Sequence, residues 1–436
     1  MTVKSGQPES QPKRGFASPR WPILLWLAQL AVPLPILAYT VLRLAAGPPP
    51  GTRLWIVAVV AAVWTLAAAA VVVRPPWRRK LVARRRQLLL GLGSAALTAA
   101  VCDVALTLTG IVPTIAARRA QSLEYRPAVS TRHRLVPKAL RLPNGREVTI
   151  NSRGFVGPEI EDPKPPGRKR LVFLGGSQVF GTFWSGGENW PATVGEILRG
   201  RGLDVDVINA GVPNHQTADC LGKLVTDLWL SRPDVVVVCN AWNDIKYFAD
   251  LTPTVRYRDA ARPWSGVDPR LHPRGIDRLL CLSAFYRMGH ERLITTFHGA
   301  GDEGEQLRDP VGRVSPLAVV QYRLNLQTIC DVAHSIGAQV VLCNQARLPV
   351  ARSSDEDRRR TPYEYVGLPH DELVAAFAAC DRAIAEVAAE KGCTVIDMNT
   401  PLSGKPGVFA DHIHFSLEGS RRAAELVADQ LQPLLQ

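Results

Sequence analysis

Five short apolar runs in the C-terminal part of the chain restrict the fold more than any other feature of the sequence. Each run is continuous and rich in β-branched residues, as expected of strands that are buried on both faces of a parallel sheet. Helix-like segments separate the runs, and this alternation predicts a three-layer, flavodoxin-like α/β fold. The runs are RLVFLGG (170–176), VDVINAG (205–211), PDVVVVCNAW (233–242), GAQVVLCNQA (337–346) and GCTVIDMN (392–399).

The N-terminal part contains three further apolar runs, and each reaches the length of about 20 residues that a helix needs to cross a bilayer. Residues 21–42 and 54–73 contain no charged residue, and residues 87–112 contain only Asp103. The sequence therefore predicts three transmembrane helices ahead of the α/β fold. The predicted domains are a membrane region (1–117), a stem or linker (118–168) and an α/β domain (169–436) with an insertion (246–315).

The formal net charge of +13 is concentrated at the N-terminus. Residues 1–86 contain thirteen Lys and Arg but one acid, Glu9, which is a net charge of +12. Because the remainder is nearly neutral, no nucleic-acid partner is predicted, and the bilayer is the expected partner of the basic segment. The basic loop at 74–86 predicts a multi-pass protein of the cell membrane, with a cytoplasmic N-terminus and an extracytoplasmic α/β domain.

Polar loops follow the apolar runs, at the edge of the sheet where α/β folds bind ligands. GGSQVFG (175–181) places Ser177 at the start of a helix, and NAGVPNHQT (209–217) follows the second run. AWNDI (241–245) follows the third, and DHIHFS (411–416) precedes the last helix. If the strands are assigned correctly, these four loops meet at one edge.

The residues of these loops are suited to acyl transfer. A serine hydroxyl such as that of Ser177 becomes an effective nucleophile when a base removes its proton. His414 can be that base, and Asp411, three residues earlier, can accept the other imidazole N–H and set the tautomer. Candidate donors to an oxyanion are the backbone N–H groups of Ser177 and Asn214 and the side-chain amide of Asn243.

From residue 169 onward the chain resembles the SGNH (GDSL-type) hydrolase superfamily, in its membrane-anchored bacterial form. LGGSQVFG resembles the first conserved block, NAGVPNHQT the second, NAWND the third and DHIHFS the fifth, in the order that the family has them. The resemblance implies a serine esterase with Ser177, Asn243 and His414 in the catalytic set and no cofactor or metal.

Three positions depart from the family pattern. Gly176 replaces the aspartate of G-D-S, Asn214 replaces the glycine of the second block, and Ala241 replaces the glycine of the third. A backbone N–H survives the change at Asn214, and asparagine tolerates left-handed geometry better than most residues. Gly211 is the alternative donor in the second block, and Asp244 is expected to support the loop of Asn243.

Other functions are compatible with some of these residues. Asp411, His412 and His414 could hold a metal, but no distant ligand cluster supports that reading, and His412 is interpreted as an exposed turn residue. The G-x-S-x-G pattern of α/β-hydrolases is absent around Ser177, since Val179 stands in the place of its second glycine. The same machinery could serve an O-acyltransferase that works with a partner membrane protein, or remain as an inactive scaffold that binds glycans.

The substrate implied by location and resemblance is an O-acyl ester, mainly acetyl, on extracytoplasmic carbohydrate or glycolipid. Tyr257 and Trp264 in the insertion could line its site, or the insertion could be a lid. Eight cysteines are present, and the seven beyond the third apolar run cannot all pair within one chain. Their spacing shows no zinc pattern and indicates no particular disulfide.

Overall fold

The computed structural model describes residues 83–436, apart from 127, 129, 132, 143, 250–270, 274 and 299–308. The first two apolar runs, at 21–42 and 54–73, lie outside the described residues. The chain divides into two compact units, Met1–Cys102 and Asp103–Gln436.

The third apolar run forms helix α1, Arg85–Leu108. Its segment Leu89–Leu108 has a mean hydropathy of 1.8 and is, within the described ranges, the one helix long and apolar enough to cross a membrane. Most of the described apolar side chains along it are exposed, Leu89, Leu97 and Val101 among them. Of the three predicted transmembrane helices, the described residues thus include one candidate, and the prediction of three is not supported.

The predicted stem has regular structure and is packed on the domain that follows it. Two antiparallel pairs form its small sheets, and Val156 bridges to Asn209 at the edge of the central sheet. Leu140 and Ile150 are buried in a cluster that also contains Phe180 and Val212 of the catalytic domain. The elements of this region are helix α2 (Ile115–Gln121) and strands β1 (Tyr125–Arg126), β2 (Arg134–Leu135), β3 (Lys138–Arg141) and β4 (Glu147–Ile150).

Five parallel strands form the central sheet, as the five apolar runs predict. Their order across the sheet is β6-β5-β7-β8-β9, so the first strand of the sheet in chain order lies second from its edge. This order is the flavodoxin-like order 2-1-3-4-5. The strands are β5 (Lys169–Gly175), β6 (Val205–Asn209), β7 (Val235–Cys239), β8 (Gln339–Asn344) and β9 (Thr394–Asp397).

Both faces of the sheet are buried, because alternate residues of each strand enter different cores. Leu171 and Phe173 of β5 pack in one core, and Val172 and Leu174 pack in the other. Helices α4 (Trp190–Gly200) and α14 (Leu417–Leu435) cover the first face. Helices α5 (Thr217–Thr226), α9 (Pro316–Ser335) and α12 (His370–Lys391) cover the second. The α/β prediction is therefore confirmed, and burial on both faces explains why the strands read as unbroken apolar runs.

Further helices lie in the loops between these elements. They are α3 (Ser177–Phe180), α6 (Trp242–Ile245), α7 (Asp277–Leu280), α8 (Ala284–His298), α10 (Asp355–Arg359), α11 (Tyr363–Val366) and α13 (Asn399–Leu402), with a 3₁₀ turn at Leu228–Ser231. Two residues at the start of α8, in the insertion, contact the end of α1. Asp103 of α1 accepts hydrogen bonds from Ser283 Oγ at 2.9 Å and from the backbone N–H of Phe285 at 2.8 Å.

The closing helix α14 comes very close to the loop before it. A Cβ atom at Gly419 would lie 1.9 Å from the carbonyl oxygen of Val408. We expect Gly419→Ala to push the helix away and to lower the free energy of unfolding by about 1–3 kcal/mol, as overpacking does. Urea unfolding followed by tryptophan fluorescence measures this change.

Gly200→Ala is the matched control, because an added Cβ at that helical position meets nothing within 4 Å. Its stability should stay the same or rise by up to about 1 kcal/mol, since alanine favours helices over glycine. Equal stability of the Gly419→Ala variant and the parent would contradict the close packing.

Candidate active site

Ser177 is the first residue of α3, directly after β5, and only 8% of it is exposed. Two glycines precede it, and neither has room for a side chain. A Cβ at Gly175 would lie 2.4 Å from the carbonyl oxygen of Cys239, and one at Gly176 would lie 2.2 Å from the amide nitrogen of Asn243. The Gly-Gly pair therefore lets the strand turn sharply into the helix while the Asn243 loop stays close.

Asp411 and His414 lie in a tight loop between α13 and α14. The backbone N–H of Ala410 donates to the carbonyl of His414 at 2.8 Å, and that of Ser416 donates to the carbonyl of Val408 at 2.9 Å. The hydroxyl of Ser416 then caps α14 by accepting from the N–H of Gly419 at 3.0 Å. These bonds hold the loop as a short hairpin whose tip carries Asp411 and His414.

The structure joins the three predicted catalytic side chains through two short hydrogen bonds. His414 Nδ1 lies 2.6 Å from Asp411 Oδ2, and His414 Nε2 lies 2.7 Å from Ser177 Oγ. Because a carboxylate only accepts, Nδ1 carries the hydrogen and Nε2 is left to accept from the serine hydroxyl. In this tautomer the imidazole is ready to remove the proton of Ser177.

Asp411 is held in its ionised form. Burial opposes its charge, but the hydrogen bond from His414, the histidine charges nearby and the backbone N–H of His414 outweigh burial and lower the pKa of Asp411. Its Oδ1 atom also accepts from the backbone N–H groups of Ile413 at 2.9 Å and His414 at 2.8 Å. The carboxylate is thus fixed in place and charged at neutral pH.

The second and third loops meet at the carbonyl oxygen of His215. The side-chain amide of Asn243 donates to it at 2.8 Å and that of Asn240 at 2.7 Å. Asn214, just before it, adopts the left-handed conformation with a φ of 66°. The backbone of Asn214 and the amide of Asn243, both predicted oxyanion donors, are therefore held on adjoining loops next to Gly176.

Asp244 and Gly211, the two remaining support candidates, brace this arrangement. Asp244 accepts from the hydroxyl of Thr217 at 2.6 Å, which ties the third loop to the start of α5. A Cβ at Gly211 would lie 2.4 Å from the backbone nitrogen of Phe180, so glycine permits the close approach of α3. The N–H of Gly211 donates to Asn209 Oδ1 at 3.0 Å, so this N–H is already used within its own loop.

Trp184 is a site residue that the sequence analysis did not identify. Its ring lies face to face with the imidazole of His414, with ring centroids 3.4 Å apart and an interplanar angle of 1°. The loop that carries it is held by the stem, since Asn144 donates to the carbonyl of Gly186 at 2.7 Å and Arg146 pairs with Glu188 at 3.0 Å. An aromatic residue in a glycine-rich loop directly after the serine block is the signal that could have indicated it.

Two further residues tie the site together. Gln178, next to Ser177, donates from Nε2 to the carbonyls of Ala346 at 2.8 Å and Ile413 at 2.6 Å, and so links the Ser177 loop to the loop after β8 and to the loop before α14. His133 of the stem lies with Nε2 3.1 Å from the carbonyl oxygen of Pro213, beside Asn214. Only the folded chain brings His133 to this loop, because 80 residues separate the two.

His412 is largely buried, whereas the sequence analysis interprets it as an exposed turn residue. Its ring packs against Trp242 with centroids 4.3 Å apart, and its Nδ1 lies 3.6 Å from Asp411 Oδ1. Among the described residues its Nε2 atom has no hydrogen-bond partner. Burial lowers the pKa of His412 to about 4, so it is neutral at physiological pH.

The sequence profile of the GDSL-like Lipase/Acylhydrolase family matches residues 173–422, more than half of the chain. The chain belongs to this family. Its SGNH-type fold and its class as a hydrolase of ester bonds, both expected from the sequence, are therefore confirmed. The matched region contains Ser177, Asn243, Asp411 and His414.

Solved structures with a similar fold include other proteins of this kind. A lipase/acylhydrolase from Enterococcus faecalis is 20% identical, with 62% of this chain and 97% of that chain covered and a TM-score of 0.36. TesA is 19% identical, with coverages of 61% and 99% and a TM-score of 0.37. An acetyl xylan esterase, AlAXEase, is 14% identical, with coverages of 60% and 99% and a TM-score of 0.36. The search among curated proteins found no match.

The buried, neutral His412 of this acylhydrolase makes its stability depend on pH. The unfolded chain protonates a histidine below about pH 6.5, whereas the folded protein keeps His412 neutral down to about pH 4. Because only the unfolded state takes up a proton in this window, the free energy of unfolding falls as the pH falls through it. We expect His412 to account for a loss of about 2 kcal/mol between pH 7 and pH 5.

His412→Gln, which cannot take up this proton, should lose less stability than the parent over the same pH interval. Urea unfolding at pH 7 and pH 5 measures both losses, and their difference isolates His412 from the other titrating groups. The same pH dependence in parent and variant would show that His412 is protonated in the folded protein as readily as in the unfolded chain.

Proposed function

We propose that this protein is a membrane-anchored serine esterase that removes O-acyl groups, mainly acetyl, from extracytoplasmic carbohydrate or glycolipid. The hydrogen-bonded series Asp411, His414 and Ser177 is the observation that carries the proposal. These three groups, in this order and with these distances, are what proton removal from a serine nucleophile requires.

In the proposed reaction His414 Nε2 takes the proton of Ser177 as its oxygen attacks the carbonyl carbon of the ester. The imidazolium that results is stabilised by the carboxylate of Asp411, and it then donates its proton to the departing alcohol. A water molecule, activated by the same imidazole, hydrolyses the acyl-serine and releases the acid. Each proton therefore passes through His414 Nε2, and Asp411 stays ionised throughout.

The negative charge on the carbonyl oxygen needs hydrogen-bond donors. A primary amide has two N–H bonds, and Asn243 uses one of them on the carbonyl of His215. We assign the other to the oxyanion, together with the backbone N–H groups of Ser177 and Asn214. Ser177 begins a helix, and the first N–H groups of a helix have no partner within it. Each such donor is worth roughly 3–4 kcal/mol in the transition state.

Trp184 has a proposed part in the same proton transfer. The imidazole of His414 gains a positive charge when it takes the serine proton. An aromatic face attracts a cation by about 0.5–2 kcal/mol, and it attracts a neutral ring less. The stack therefore stabilises the transition state more than the ground state, which is the condition for a faster reaction.

The substrate and location rest on three observations. Ser177 and His414 are each only 8% exposed, which favours a short acyl group at the nucleophile. Helix α1 is long and apolar enough to anchor the chain, and two further apolar runs precede it. The basic residues at 74–86 favour a cytoplasmic position for the loop that contains them. This topology exposes the site to the acylated glycans and glycolipids of the envelope.

The triad is tested by hydrolysis of a short-chain aryl ester by the full-length protein in detergent. Ser177→Ala and His414→Ala should each lose about 10⁴-fold or more in kcat, because both remove the proton-transfer path. Asp411→Asn should lose about 10⁴-fold, because it favours the wrong imidazole tautomer.

His412→Gln is the control, since it changes an imidazole in the same loop that does not contact Ser177; its kcat should stay within about tenfold of the parent. Unchanged hydrolysis in Ser177→Ala would refute the assignment of the nucleophile. A parent that transfers acetyl groups to a sugar but not to water would show an acyltransferase, and a parent with neither activity would show an inactive scaffold.

The role of Trp184 is tested by comparing Trp184→Phe with Trp184→Leu. Both keep apolar bulk beside His414, but only phenylalanine keeps an aromatic face. We expect Trp184→Leu to lose roughly 2- to 30-fold in kcat relative to Trp184→Phe, with similar KM. Equal kcat in the two variants would show that residue 184 only covers the imidazole of His414, and that its aromatic face does not contribute to the rate.

The topology is tested with a reporter enzyme that is active only in the cytoplasm. Fused after Gln436 it should be inactive, and fused before Met1 it should be active, because three spans place the two ends on opposite sides. Activity of the C-terminal fusion would overturn the extracytoplasmic assignment while leaving the esterase proposal intact.

A further inference from the structure

Two cysteines lie in contact at the end of the sheet opposite Ser177. Cys330 is buried in α9, and Cys393 stands between α12 and β9, at the amino-terminal end of that strand. Their Sγ atoms are 3.4 Å apart. Ser177 follows the carboxyl end of β5, so the two sites are at opposite ends of the parallel strands. We propose that Cys330 and Cys393 are a redox site that closes to a disulfide by exchange with a disulfide oxidant.

The geometry requires only a small movement. The sulfur atoms of a disulfide are about 2.05 Å apart, so the present distance must shorten by roughly 1.4 Å. Cys393 follows Gly392, which ends α12 in the left-handed conformation with a φ of 66°. An added Cβ at Gly392 would meet nothing within 4 Å, so there is open space at this corner.

The two thiols have different environments, which suit two different roles. Cys393 is partly exposed, and the hydrogen bond between the two sulfurs lowers the pKa of its thiol. Cys330 is fully buried, and that hydrogen bond together with burial raises the pKa of its thiol. Cys393 is therefore the accessible nucleophile, and Cys330 is the thiol that completes the bond.

The exchange balances without any other reactant. The Cys393 thiolate attacks one sulfur of the oxidant, which forms a mixed disulfide and releases the first oxidant thiol. Cys330 loses its proton and attacks Cys393 Sγ, which forms the protein disulfide and releases the second oxidant thiol. Two electrons pass to the oxidant, and the two protons lost by the cysteines appear on its thiols.

Buried thiols elsewhere in the domain provide a contrast. Cys239 and Cys343 are register partners on β7 and β8, and both are fully buried in the sheet. Burial raises the pKa of each thiol, which disfavours the reactive thiolate. Cys380 of α12 is buried in the same way. Of the described cysteines in the second unit, the pair at 330 and 393 thus combines sulfur contact with access for an oxidant.

The disulfide would stabilise the domain without touching the active site. It would close a loop between residues 63 positions apart, which contains β8 and α12. Closing a loop of this length restricts the unfolded chain and favours the folded one. The extracytoplasmic location proposed above would supply an oxidising compartment, in which such bonds persist.

The test uses the full-length protein in detergent, equilibrated with oxidised or reduced glutathione. Free thiols are then blocked with N-ethylmaleimide under denaturing conditions, and the peptides are analysed by mass spectrometry. After oxidation we expect a peptide pair linked through Cys330 and Cys393, about 2 Da lighter than the two free peptides together. Reduction should abolish it and lower the thermal midpoint of unfolding, with ester hydrolysis by the folded protein unchanged.

Variants decide whether the link is specific. Cys393→Ser should lose the link and the redox dependence of the thermal midpoint, whereas Cys380→Ser, which removes another buried thiol of the same region, should keep both. Cys330→Ser should behave as Cys393→Ser does, and if it does not fold, the Cys393 variant alone decides. Full alkylation of both cysteines after oxidation would overturn the proposal. A link from Cys393 to another cysteine or to a second chain would also overturn it, whatever the esterase assays show.

Discussion

The hydrogen bond between Ser177 and His414 joins two positions that are 237 residues apart in the chain. It can form because parallel strands deliver their following loops to one edge, and because the loop before the last helix returns to that edge. The burial of both sheet faces keeps this edge rigid. The position of Ser177 relative to His414 therefore depends on the register of five strands and on the docking of α14.

The loops of the site are also bonded to one another, so that none of them is positioned alone. The carbonyl of His215 receives two asparagine amides from the third loop, and Gln178 reaches the loop after β8 and the loop before α14. Gly176 and Gly211 permit these approaches by having no side chain. Such mutual support is what a preorganised oxyanion site needs, because its donors must be in place before the charge develops.

Much of this architecture follows from local patterns in the sequence. A strand buried on both faces reads as an apolar run, and all five runs contain a strand of the sheet. Ser177, Asp411 and His414 stand out because short motifs place them directly beside strand or helix ends. Trp184 and His133 do not, because their partners are distant in sequence and are brought near by packing of the stem. The prediction that His412 is exposed was wrong for the same reason, since a polar residue in a turn gives no local sign that tertiary packing buries it.

The stem supports the loops that surround Ser177 and His414. His133 contacts the loop of Asn214, and Asn144 and Arg146 hold the loop of Trp184. A change in the length of this segment would therefore alter the geometry around His414. Insertions between His133 and Val156 would displace the contacts that this part of the stem makes with the loops of the site, even though no residue of the stem belongs to the hydrogen-bonded series of Asp411, His414 and Ser177.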